Sequence, residues 1–135
     1  MGRGILLDYH RWAKANNVQY EIFETGSIPL KHLKAVAESQ GTEIKFGDIL
    51  IIRVGKNMTE IFGLVLVKNR ADICAGYMEA FRQLSEEKLT SLAKVIPPHL
   101  IGVEQSEEML EWIWDNFSAV AGDQPSFEAW RKACP

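Results

Sequence analysis

The chain has 135 residues, 47% of them hydrophobic, enough for one core, and a domain of this length buries roughly two thirds of the surface its unfolded form exposes. A formal net charge of -3 leaves no basic face for nucleic acid, and the longest apolar runs, "GDILIIRVG" and "EIFGLVLV", fall well short of the ~20 residues a membrane helix needs. Cys74 and Cys134 lie far apart without CxxC spacing, which excludes a disulfide scaffold or a zinc knuckle and makes a reduced, cytoplasmic setting the expectation.

The N-terminal "MGRGILLDYH" has neither the length nor the cleavage pattern of a signal peptide, and "MGRGIL" lacks the Ser or Thr of a myristoylation site. "GILLDY" (4 to 9) instead reads as a short buried strand ending in Asp8, followed by helix formers in "HRWAKANN" and a double-Asn stop. In 27 to 41, Ser27 sits at a capping position and Pro29 in the first turn. Leu30, Leu33, Val36 and Ala37 follow at helical spacing, and Gly41 closes the helix. "TEIKFGDILIIRVG" (42 to 55) gives a Gly-Asp turn and a continuous Ile and Leu run, the pattern of a strand covered on both faces.

Residues 58 to 70 read as a further strand, and 77 to 95 as two helical pieces divided near Ser85, with Met78, Phe81, Leu84, Leu89, Leu92 and Val95 as the apolar positions. "PPHLIGVEQ" (97 to 105) is a proline-started strand reaching Glu104. Ser106 then caps "SEEMLEWIWDN", whose two first-turn glutamates favour the helix dipole. "FSAVAGD" is the last strand. Strands alternating with helices predict a single α/β domain with an at least partly parallel sheet.

Ligands of such sheets bind beyond the carboxyl ends of the strands, so Asp8, Glu104 and Asp123 are candidates for one shared cleft, with His10 beside them. The alternative is that each carboxylate caps a turn or helix through backbone N-H groups. His10, His32 and His99 show no metal-pair spacing, His32 reads as a helix-surface residue, and Cys74 has no neighbour to activate it. No nucleophile elbow, P-loop or dinucleotide fingerprint is present.

The runs "GRGILLDYHRWA", "GDILIIRVG" and "PPHLIGVEQSEEMLEWIWDNFSAVAGDQPSFEAW" resemble the cyclase family of metal-dependent hydrolases that includes kynurenine formamidase and isatin hydrolase. The resemblance covers most of the chain and implies a swivelling β/β/α-like mixed sheet flanked by helices. In complete members it also implies hydrolysis of an amide or formamide by water on zinc or manganese. The family's His-x-Gly-Thr-His-x-Asp metal motif, and its later histidine and glutamate, have no match here, so no cofactor is expected for this chain alone. Asn116 stands where many relatives carry a histidine.

Against the same relatives, residues 56 to 76 read as an insertion. Gly55-Lys56 and Ala75-Gly76 can be encoded as splice signals, so the stretch reads as a retained intron in a domain truncated at both ends. The expectation is a cyclase-family domain that is not catalytic alone, with a small-molecule ligand and a second copy of the chain as its partners. The rivals are a hydrolase or cyclase whose site forms between copies, using His10 or His99, and a non-catalytic binding or assembly module whose exposed sheet edges are covered by a partner.

Overall fold

The structure, a computed structural model, describes residues 2–23, 26–55, 81–96 and 100–129. In chain order these form β1 (Gly4–Asp8), α1 (Tyr9–Ala15), β2 (Ser27–Ile28), α2 (Leu30–Gln40), β3 (Asp48–Arg53), α3 (Glu86–Ala93), β4 (Gly102–Val103), α4 (Glu107–Asn116) and β5 (Phe117–Gly122). The architecture is α/β. The expected strand at 58 to 70, the first helical piece from 77, the inserted 56 to 76 and His99 fall wholly or largely outside the described residues.

Among the described residues three strands make the main sheet in the order β1-β3-β5, and β2 and β4 make a separate ribbon. Every described pair is parallel, so the sheet is not mixed among the described residues. In the β1-β3 register Ile5 faces Leu50 and Leu7 faces Ile52, and all four are buried, because alternate residues of paired strands share one face. The other face of β3, with Ile49, Ile51 and Arg53, is only half-buried, so the strand is closed fully on one side rather than both.

Helix α2 covers the buried face with the residues its periodicity predicts, Leu30, Leu33, Val36 and Ala37. It ends at Gly41, whose φ of +62° is left-handed. The amide of Gly41 donates to Glu38 O and that of Thr42 to Ala37 O, the paired bonds of a Schellman turn. Its start differs from the expectation: Ser27 is not the cap. Ser27 and Ile28 pair with Gly102 and Val103 as β2, Pro29 occupies the N-cap with no side-chain bond, and the helix begins at Leu30. Tertiary pairing overrides the local capping signal.

Ser85 and Ser106 cap α3 and α4 as expected, accepting from Lys88 N and Met109 N. Helix α3 buries no residue, so Leu89 and Leu92 lie only partly covered. The strand expected over 97 to 105 is confined to Gly102 and Val103 among the described residues. It is flanked on its second side by residues 127 to 129, where Val103 N donates to Phe127 O and Ala129 N to Val103 O.

Gly102 is where these segments meet. A Cβ there would stand 2.2 Å from the carbonyl carbon of Glu128 and 2.5 Å from Ala129 N, both backbone atoms that cannot swing aside. Gly102→Ala therefore has to push the 127 to 129 segment off β4. The expected outcome is a loss of about 1–3 kcal/mol in urea unfolding, while alanine at Gly4, where the nearest atom is an Ile51 side-chain carbon at 3.8 Å, costs far less.

At the other end of β3, Arg3 forks onto Asp48, Nε to Oδ1 at 3.0 Å and a terminal nitrogen to Oδ2 at 2.7 Å, and Lys45 N donates to Oδ2 at 2.8 Å. The Arg3 bonds, aided by the Lys45 amide, hold the Asp48 carboxyl down from 3.8 to about 2. Because the folded value is the lower one, this stabilisation is complete above pH 3.8 and is lost as pH falls toward 2. Urea midpoints measured down this range should fall in the wild type, and Asp48→Asn should flatten that part of the slope.

Candidate functional site

The carboxyl ends of β1, β3 and β5 bring Asp8, Arg53 and Asp123 together, as expected for a parallel sheet. Asp8 and Arg53 are register partners and form an ion pair at 2.8 Å, with both side chains largely covered. The other Asp8 oxygen accepts from Arg11 N at 3.0 Å and caps α1, so this carboxylate is occupied on both sides. Asp123 accepts from Val54 N at 2.8 Å with one oxygen and from Gly55 N at 2.9 Å with the other. Burial pushes its carboxyl above the usual range, against the downward pull of those amides.

His10 is not a surface residue. It is buried on α1, and its Nδ1 bonds to the Tyr20 hydroxyl, which itself donates to Val54 O at 2.6 Å. Because the single hydroxyl proton goes to Val54, Nδ1 of His10 carries its own proton and donates. Burial pushes the Tyr20 hydroxyl far up, helped by Tyr9, Asp123 and Asp8 and opposed by Arg53. Tyr20 is therefore a neutral linker between α1 and the end of β3, not a base.

Glu104 stands apart from the sheet-end group, at the end of β4 in the second ribbon. Its Oε1 accepts from Leu30 N at 2.9 Å and from Ser106 Oγ at 3.3 Å. It is the cap that α2 lacks locally, brought from 74 positions away. The three carboxylates thus do not share one cleft: Asp8 and Asp123 close the main sheet, and Glu104 closes the ribbon.

Beside the ribbon lies an open groove of about 440 Å³, with Tyr9, Tyr20, Ile28, Pro29, His32 and Ile101 in its walls. His32 is half-buried, not a surface residue, with its ring against Trp12 at 5.0 Å and Tyr9 at 6.1 Å. Its Nδ1 is 3.4 Å from the Tyr9 hydroxyl. Burial first, and Lys31 second, lower its pKa, while Glu104 raises it, so the imidazole is neutral near pH 7.

Sequence spacing missed His32 because its aromatic partners lie on α1, and it missed Arg53 because only the parallel register sets that side chain opposite Asp8. Arg53 Nε and both polar atoms of Gln124 are buried without a hydrogen-bond partner. Among the described residues, no group of three or more His, Cys, Asp or Glu side chains comes together as a metal cage. No described helix is long and apolar enough to cross a membrane.

No family model and no curated protein matches the chain. A crystal structure described as a novel cyclase superposes with a TM-score of 0.52 at 22% identity, over 90% of this chain. The likeness is one of fold, and this chain spans 30% of that cyclase's length.

The long-range cap is directly testable. Glu104→Ala leaves the Leu30 amide without its acceptor and should cost about 1 kcal/mol in urea unfolding. Ser27→Ala, at the position that sequence pattern alone marks as the cap, should cost less than half of that.

Proposed function

We propose that this chain is a cyclase-like α/β domain, related to the kynurenine formamidase group, that does not hydrolyse amides on its own. One observation carries the reading: each end-of-strand carboxylate is already committed to the fold. Asp8 holds Arg11 N and Arg53, Glu104 holds Leu30 N and Ser106, and Asp123 holds two successive amides of the chain after β3. The resemblance of "GVEQSEEMLEW" and "AVAGDQPSFE" to the family that includes kynurenine formamidase motivates that relation, and the likeness to the crystallised cyclase supports the fold.

Hydrolysis by metal-bound water needs about three protein ligands at fixed geometry and an open position for the water. The residues described here do not fit a zinc or manganese ion of that kind. To bind one, Asp123 would release two buried amides and Asp8 would release both a helix cap and an ion pair. An unmet buried donor costs about 1–3 kcal/mol. Each carboxylate therefore favours its present partners, and no catalytic step is assigned to Asp8, His10, Glu104 or Asp123.

The groove beside Tyr9 and His32 is where a small ligand fits best, since it joins apolar walls with a neutral imidazole and the Tyr9 hydroxyl. Elemental analysis of the purified full chain, with an assay on N-formylkynurenine, tests the main reading. The expected result is substoichiometric zinc and manganese and no turnover above the uncatalysed rate. Stoichiometric metal, with formamide hydrolysis that a chelator abolishes, would sink it.

A further inference from the structure

We propose that the groove beside the β2-β4 ribbon binds a small organic cation whose charge sits on an alkylated nitrogen, a tertiary or quaternary ammonium, held against the rings of Tyr9, Tyr20 and His32. That the groove takes a ligand at all rests on the proposed function above; the charge and shape of that ligand follow from the groove's walls.

Three aromatic side chains from three segments reach this groove. Tyr9 opens α1, Tyr20 lies in the chain that follows it, and His32 is in the first turn of α2. Tyr9 is the shared neighbour: its ring centroid is 5.3 Å from that of Tyr20, at a tilt of 55°, and 6.1 Å from that of His32. A ring attracts a cation lying within about 6 Å of its centroid, so one charged group can reach two of these rings at once. The tilt turns their faces in different directions, as the walls of a cage require. The rings are also fixed before any ligand arrives. The Tyr20 hydroxyl donates to Val54 O at 2.6 Å and accepts from His10, and Trp12, which does not line the groove, packs on His32 with centroids 5.0 Å apart. Little side-chain ordering is left to oppose binding.

Charge decides the class of ligand. Among the described residues that line the groove, Glu21 alone carries a formal charge, and there is no lysine or arginine. His32 adds none near pH 7, and Lys31 and Glu104, which act on it in opposite senses, do not line the groove. An anion would meet aromatic faces, which are negative, and a carboxylate, with no cation to offset them. A neutral molecule gains burial alone, whereas a cation gains burial and the attraction of the rings. Alkylation decides among cations. A primary ammonium gives up three N–H bonds to water on entry, while here the Tyr20 hydroxyl is already engaged and the Glu21 side chain is exposed. An alkylated nitrogen has few such donors to strand, and its methyl groups suit the apolar wall of Ile28, Pro29 and Ile101.

Titrating the full chain with choline and with 3,3-dimethylbutan-1-ol, the uncharged molecule of the same shape, separates charge from burial, with NMR shifts of the Tyr9, Tyr20 and His32 ring protons as the readout. Choline should bind at least about fivefold tighter than the alcohol. Glu21→Lys, at an exposed position, and His32→Leu, which deletes a ring, should each weaken choline by about threefold or more and leave the alcohol within about twofold. His32→Phe keeps a ring and should keep the preference for choline. Equal affinity for choline and the alcohol, or a preference for choline that survives both Glu21→Lys and His32→Leu, overturns the cation site and leaves the groove free to take a neutral ligand. Ring protons that respond to neither probe overturn the ligand groove as well. Metal content and formamide turnover, which test the main reading, are independent of both results.

Discussion

A parallel strand that stops leaves backbone amides pointing at nothing, and the arrangement of this molecule follows from how those donors are satisfied. The chain after β3 presents the amides of Val54 and Gly55, and Asp123 accepts both. The start of α2 presents Leu30 N, and Glu104 accepts it. In each case the acceptor lies about 70 positions away in sequence, just past a different strand. The side chains at the carboxyl ends of the strands are therefore ties between distant segments before they are anything else. Buried carboxylates are costly unless hydrogen-bonded, and amide donors in pairs are among the few groups that meet the cost.

That commitment governs what the residues can do chemically. A general base or a metal ligand needs a lone pair that faces the reacting group, and the oxygens of Asp123 face the chain's own backbone. Its raised pKa is therefore a mark of burial, not of a poised acid, since the same carboxylate is held by two short bonds that favour its charge. Tyr20 is in the same position, with its hydroxyl donating to Val54 O and its oxygen accepting from His10. Tyr9 and His32, which line the same groove, are by contrast less completely used. His32 is neutral and half-buried, with its Nδ1 3.4 Å from the Tyr9 hydroxyl and its ring against Trp12.

Periodicity and caps made most of the elements legible. The Ile and Leu run of β3, the apolar positions of α2, the stop at Gly41 and the serine caps of α3 and α4 are all local signals, and local signals survive into the structure. The failures share one cause. Ser27 looked like a cap because nothing nearby announces that residues 27 and 28 pair with residues 102 and 103. The run 97 to 105 looked like a long strand because apolar content does not reveal that, among the described residues, pairing reaches only Gly102 and Val103. For the site, strand-end position was enough to pick out Asp8, Glu104 and Asp123. Their division into two groups was not, because it depends on which ribbon each strand joins.

The same long-range ties bear on how the surface near α4 comes about. Strands β1 and β5 lie at opposite ends of the described chain, and both must find β3, so the sheet closes only through loops of some 40 and 65 residues at a substantial entropic cost. The core that repays this cost is one-sided. Ile5, Leu7, Leu50 and Ile52 are buried on the α2 face, whereas Val120, on the same face of β5, is left 38% exposed. Burial thus fades from β1 and β3 toward β5. A strand that contributes pairing but little burial leaves the hydrophobic stabilisation of the sheet to β1, β3 and the helix over them.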